Sequence, residues 1–203
     1  MSAFLIVGLG NPGREYEKTR HNIGFLAIDT LAEKWDLQFQ KKTKLKGKLA
    51  QKKGEKLNFY LFKPDTYMNL SGLAVKTVVD YFKIDLDRIL VVVDDVAIPF
   101  GEFRLKKESG TGGHKGLENI EVCLATQSYA RLRIGVGEKK EGELTTHVLG
   151  KFTPNELEYL PTIQKKAIEV IELFFEKSLE YTQSIANVRQ KKTRQDDESI
   201  THD

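Results

Sequence analysis

Proton transfer is the chemistry that the first 22 residues best support. The segment Gly8-Leu9-Gly10-Asn11-Pro12-Gly13-Arg14-Glu15-Tyr16-Glu17-Lys18-Thr19-Arg20-His21-Asn22 follows the apolar run Phe4-Leu5-Ile6-Val7 directly. A buried strand that breaks at glycines and leads to His-Asn brings an imidazole and carboxamides toward the strand's carboxyl end, where open α/β sheets hold their ligands. Free imidazole titrates near neutrality, and an aspartate on its other nitrogen would fix the tautomer and balance the imidazolium formed on proton abstraction. Asp94 and Asp95 close the most apolar run of the chain, Ile89-Leu90-Val91-Val92-Val93, and either could serve. No serine or cysteine presents itself as a nucleophile, which favours attack by water, with carboxamides such as Asn11 and Asn69 holding the substrate or its developing oxyanion.

Other chemistries fit less well. The loop spells G-x-G-x-x-G, but Pro12-Gly13 favours a turn over immediate helix entry, and the next strand is lysine-rich with no acid placed for a ribose. The glycines of residues 110–116 could free backbone N–H groups for an anion, yet this loop lacks the spacing and the Ser/Thr of a P-loop. His21, His114 and Asp94 have no short metal-ligand spacing and there is no cysteine pair. The single Cys123 lies in the apolar stretch Ile120-Glu121-Val122-Cys123-Leu124 and reads as a buried structural thiol.

The elements that must position these residues alternate between strand and helix. Residues 4–7, 48–51, 57–62, 89–93, 102–106 and 131–137 read as strands. Residues 23–35 and 71–82, a short segment after residue 116 and residues 154–177 read as helices. Thr153-Pro154-Asn155-Glu156 supplies an N-cap, a proline at the first helical position and a capping-box acid; Pro161 should turn or kink that helix. A final amphipathic helix is expected over 179–192 through Leu179, Ile185 and Val188. Polar islands follow three of the strands, at 11–21, 64–72 and 94–95, and would converge on one rim if those strands are neighbours. The fold class expected is α/β, a single domain with a mixed, mostly parallel sheet flanked by helices, spanning residues 1–190 and followed by a frayed polar tail at 191–203.

With 203 residues, 40% hydrophobic and 30% charged, the chain suits one such domain. No apolar run approaches the length of a membrane span, the first eight residues do not make a signal peptide, and one cysteine allows no internal disulfide, so a cytoplasmic protein is expected. The net charge of +3 says little, but the basic islands at 41–48, 52–53, 104–107 and 189–194 suit contact with a polyanion.

Five motifs, taken in order, resemble bacterial-type peptidyl-tRNA hydrolase: residues 4–13 with Tyr16 and Thr19-Arg20-His21-Asn22; Tyr67-Met68-Asn69-Leu70-Ser71-Gly72; Val93-Asp94-Asp95 with Ile98-Pro99 and Gly101; Gly112-Gly113-His114 with Gly116-Leu117; and Arg131-Leu132-Arg133-Ile134-Gly135-Val136-Gly137. The resemblance covers about residues 4 to 150, the C-terminal fifth matching loosely. It implies hydrolysis of the ester between a peptide and the 3′ ribose of tRNA, by a monomer without cofactor. It implies His21 as the base that activates water, oriented by Asp94. Asn11 and Asn69 would position the ester and peptide backbone; Tyr16, Tyr67 and Met68 would line the cleft, with His114 and Lys115 also beside the substrate. Arg104, Lys106 and Arg133 would meet tRNA phosphates. Lys115 departs from the family pattern, which has asparagine there; a lysine only donates, and adds a charge expected to face the same rim as His21. A non-catalytic RNA-binding relative is the second reading, against which the intact His21, Asn11, Asn69 and Asp94 stand.

Overall fold

The apolar runs become the centre of a seven-stranded sheet. The computed structural model describes residues 2–55, 57–138 and 144–188. Its strands are β1 (Ser2–Gly8), β2 (Gln40–Lys42), β3 (Gly47–Lys52), β4 (Leu57–Pro64), β5 (Ile89–Asp95), β6 (Phe103–Lys106) and β7 (Ala130–Gly135), in the order β2-β3-β4-β1-β5-β7-β6. β4, β1, β5 and β7 run parallel, while β2–β3–β4 and β7–β6 pair antiparallel at the two edges. The helices are α1 (Ile23–Lys34), α2 (Ser71–Phe82), α3 (Lys115–Leu124), α4 (Leu144–Leu149), α5 (Pro154–Glu176) and α6 (Leu179–Ala186).

Both faces of the central strands are covered, which is why they read as unbroken apolar runs. Ile6, Leu90 and Val92 pack with α1 and α5 on one face; Leu5, Val7, Val91 and Val93 pack with α2 and α3 on the other. The result is the expected α/β architecture of a mixed sheet between helices. β1 lies between β4 and β5, so the chain leaves β1 toward one side and returns through α2 to the other. The connections diverge at the carboxyl ends of β1 and β5, and a crevice opens there.

The approach of α1 to that point depends on Gly24. A Cβ at Gly24 would lie 2.4 Å from the Val92 carbonyl oxygen and 2.6 Å from the backbone of Leu9, atoms that cannot rotate away. Gly24→Ala is expected to destabilise by about 1–3 kcal/mol through overpacking, against the roughly 1 kcal/mol that alanine gains in helix propensity. Urea unfolding checks this, and a variant as stable as the parent would show that α1 can shift outward.

Several local expectations are refined. α5 begins on the capping box, with the Thr153 side chain accepting from the Glu156 backbone, and Pro161 starts no turn, the helix running on through it. Proline leaves a carbonyl unbonded one turn back, at Leu157, on the exposed side of the helix where water can meet it. α6 ends at Ala186 and does not continue as a helix through residues 187 and 188. Asn187 turns its carboxamide onto the outer backbone of β6, accepting from Leu105 N at 2.6 Å and donating to Leu105 O at 3.2 Å. Thr182 and Ala186 form the buried face, and Ile185 and Val188 are exposed. Residues 189–192 and the tail at 191–203 lie outside the described residues. Cys123 is half-buried on α3. No helix among the described residues is long and apolar enough to cross a membrane.

Candidate active site

The crevice holds an aspartate shared by two histidines. Strand alternation decides which aspartate. Asp94 continues the Leu90–Val92 series toward the α1 face, where the Arg20–Asn22 turn leads into α1 and presents His21. The Nδ1 of His21 meets Asp94 Oδ1 at 2.9 Å, and the Nε2 of His114 meets the same oxygen at 3.1 Å. Asp95 points elsewhere: its Oδ2 pairs with Arg133 at 2.9 Å and its Oδ1 accepts from Ala97 N.

The backbone fixes the protons. His114 is the N-cap of α3, and its Nδ1 accepts from Gly116 N at 3.2 Å and Leu117 N at 3.3 Å. An accepting Nδ1 carries no proton, so Nε2 bears the hydrogen that it donates to Asp94. His21 likewise donates from Nδ1. This leaves the lone pair of its Nε2 unused by any described residue, in a side chain that is 12% exposed at the cavity wall. Asp94 is 3% exposed. Burial would raise its carboxyl, but the positive potential and hydrogen bonds of His114 and His21 outweigh it and hold Asp94 well below the usual carboxylate range.

His21, Asp94 and His114 also bring one donor atom each within 4.8 Å of one another, close enough for a metal ion. Coordination through His114 Nε2 would require moving its proton to Nδ1, against two backbone N–H groups that already point at that atom. The three residues fit a hydrogen-bonded relay better than a ligand set.

The cavity above them, about 340 Å³, is walled by Tyr67, Met68, Val96, Val148 and Leu149, with Asn11 and Asn69 among its polar groups. Asn11 is locked in place. Its backbone N–H and carbonyl both bond the Asn22 carboxamide, at 2.8 and 3.0 Å, and its Oδ1 accepts from Met68 N at 2.8 Å. Only its Nδ2–H₂ remains to meet a ligand. Asn69 and Tyr67 are exposed at the rim and Met68 is buried beneath it. Tyr16 is not among the lining residues: residues 13–19 coil into turns of their own, Tyr16 N donating to Gly13 O and Thr19 N to Tyr16 O.

Lys115 sits at the edge of the cavity, but its ammonium pairs with Glu118 at 2.9 Å on the exposed first turn of α3, and the side chain is 71% exposed. Arg133 is buried, bound to Asp95 and to the carbonyls of Gly110 and Thr111; it ties the glycine loop to β5. Arg104 lies opposite Arg133 in the β6–β7 register and pairs with Glu102 at 3.2 Å. Lys106 is exposed.

Three contributors were not evident from the sequence. Asn22 braces Asn11, α4 supplies Val148 and Leu149, and Arg20 fastens α4 to the histidine turn. Arg20 donates to Lys151 O at 2.9 Å and pairs with Glu156 at 2.6 Å, its N–H bonds Gly150 O, and Thr19 bridges Lys151. Arg20 within the Thr-Arg-His-Asn motif was the available signal.

Known proteins resemble the chain over most of its length. The profile of the peptidyl-tRNA hydrolase family matches residues 5–196. Peptidyl-tRNA hydrolase of Gloeobacter violaceus is 46% identical over 190 residues, covering 93% of this chain and 96% of that one. The Clostridium novyi protein of the same name is 41% identical over 174 residues, covering 86% and 92%. A crystal structure of peptidyl-tRNA hydrolase from Acinetobacter baumannii superposes with a TM-score of 0.85 at 34% identity, covering 91% of this chain and 94% of that one. Motifs, fold and overall similarity agree, and the chain belongs to the peptidyl-tRNA hydrolase family.

Proposed function

We propose that this protein hydrolyses the ester joining a peptide to the 3′ ribose of tRNA, with His21 as the base. The observation that carries the reading is His21 itself, its Nδ1 donating to the buried Asp94 and its Nε2 bonded to no described residue at the wall of a cavity shared with Asn11 and Asn69. Water bound at Nε2 loses a proton to His21 as its oxygen attacks the ester carbonyl carbon. Negative charge gathers on the former carbonyl oxygen, where the amide N–H groups of Asn11 and Asn69 are the available donors. Collapse of the tetrahedral intermediate breaks the bond to the ribose oxygen, which takes the proton from His21, leaving a peptide acid and tRNA. Asp94 carries the charge that balances the imidazolium throughout.

The apolar wall of Tyr67, Met68, Val148 and Leu149 suits a peptide of varied side chains, since such contacts do not read sequence. On the tRNA side Lys106 offers an exposed ammonium with no ion pair among the described residues and Arg104 beside it, while Arg133 acts by holding the glycine loop. The reading places the enzyme in the cytoplasm, acting as a monomer. Release of tRNA from purified peptidyl-tRNA tests it: multiple turnovers without added metal are expected, and binding without turnover would favour the RNA-binding alternative.

The Lys115–Glu118 pair also makes a prediction. Because the charge is shared on an exposed turn, Lys115→Asn is expected to leave the pH dependence of single-turnover hydrolysis superimposable on that of the unaltered protein. A displaced acid limb would place the ammonium near His21 in the working complex.

A further inference from the structure

We propose that the lysine-rich turn between β2 and β3 is a second contact for the phosphates of tRNA, on the opposite side of the catalytic cleft from β6. The inference rests on the reading of the substrate as peptidyl-tRNA and adds where the body of the nucleic acid lies. Residues 37–54 contain seven lysines and no acid. Within them Lys41 pairs with Asp65, whereas Lys44, Lys46 and Lys48 are exposed and form no ion pair among the described residues. On the β6 side Arg104 and Arg133 are both neutralised by carboxylates within the chain, and Lys106 is left without an ion pair among the described residues.

The topology puts this turn at the active rim. β3 runs antiparallel to β4 with Gly47 opposite Pro64, and β4 runs parallel to β1 with Phe62 opposite Val7. The start of β3 therefore lies at the same end of the sheet as the carboxyl end of β1, from which Asn11 and His21 follow. Lys48 and Asn11 line one mixed cavity, about 400 Å³, that adjoins the central one through Asn11. The charge is also held in place. Leu45 is buried against the α2 face of the sheet, Asp65 N donates to Lys46 O at 2.8 Å, and a Cβ at Gly47 would strike the Phe62 ring. Lysines on an edge strand can serve merely to repel other strands, but Lys44 and Lys46 stand on the turn and guard no strand edge.

Ammonium groups carried on a fixed backbone beside the cleft, without ion pairs among the described residues, match a phosphodiester backbone, whose binding releases counterions in proportion to the phosphates met. The test is tRNA affinity against salt for the full-length protein carrying Lys44→Gln, Lys46→Gln and Lys48→Gln, with Lys165→Gln and Lys177→Gln on α5 and its C-cap as the control. Three lost contacts should flatten the slope of log K against log salt by about 2–3, and raise KM for peptidyl-tRNA more than they lower kcat. The control should keep the parent slope.

Lys46 occupies a left-handed backbone, φ +56°, so Lys46→Gly removes one charge while relieving the backbone. It should unfold no more readily than the parent, yet flatten the slope by about 0.7–0.9, which separates charge from folding. An unchanged slope in the triple variant overturns the inference even if the parent hydrolyses peptidyl-tRNA. A flattened slope in a protein that releases no tRNA would overturn the catalytic reading and leave the RNA contact standing.

Discussion

His21→Ala is expected to lower the single-turnover rate on peptidyl-tRNA by at least about 10²-fold while tRNA affinity stays within a small factor of the parent's. The reason is local. Among the residues around the cavity, His114 is the other imidazole, and both of its nitrogens are committed, Nδ1 to the α3 backbone and Nε2 to Asp94. It cannot take over as base without uncapping the helix. Among the described residues the His21 ring bonds Asp94 and lies against the His114 ring, contacts confined to the site, so circular dichroism and the unfolding midpoint should change little. A variant that turns over at a near-normal rate would remove His21 from the mechanism.

The second large effect is expected from Asp94→Asn, again at least about 10²-fold in rate. Asparagine keeps the shape but loses the charge in a nearly solvent-free position, where two imidazole N–H groups now donate to a neutral oxygen and the imidazolium formed during reaction has no counter-charge. Asp95→Asn should cost less, since Asp95 acts on Arg133 and the glycine loop. If Asp95→Asn proves the more damaging, the assignment of the partner aspartate falls. Stability against pH gives an independent reading. A free aspartate titrates near 3.9, and in the fold Asp94 lies lower, so its ionisation favours the native state above that value. This contribution fades as pH falls from about 4 toward the folded value. The Asp94→Asn protein should therefore show a shallower loss of stability below about pH 4 than the parent.

How far the sequence disclosed this arrangement depended on whether a residue's role is local. The runs at 4–7 and 89–93 declared buried parallel strands because burial on both faces demands continuous apolar side chains, and Thr153-Pro154-Asn155-Glu156 declared a helix start because a capping box is confined to four residues. β2 was hidden: all three of its residues, Gln40, Lys41 and Lys42, are exposed, so no hydrophobic alternation marks it. α6 was overextended because Asn187 spends its carboxamide on Leu105, a partner 82 residues away. In the site, His21, Asn11 and the aspartate pair were legible as chemical types, and the choice of Asp94 rested on motif register. Its geometric basis, the face to which position 94 points, needs the strand order. The roles of Arg133 and His114 needed it too, since a buried arginine paired with a half-buried carboxylate looks in sequence like one facing solvent.

The Arg20 clasp has a consequence for when activity can begin. His21 is made early in synthesis, but the groups that hold its turn, Gly150, Lys151 and Glu156, are made more than 125 residues later. β5, which carries Asp94, and the glycine loop with His114 fall between them. A nascent chain emerging from its N-terminus can pair β1 with β4, yet it has no fastened histidine turn and no α4 wall until residue 156 has cleared the ribosome. Catalytic competence therefore waits on residues far downstream of the histidine turn, so a fragment terminated before residue 150, even one carrying His21, Asp94 and His114, should show no hydrolytic activity.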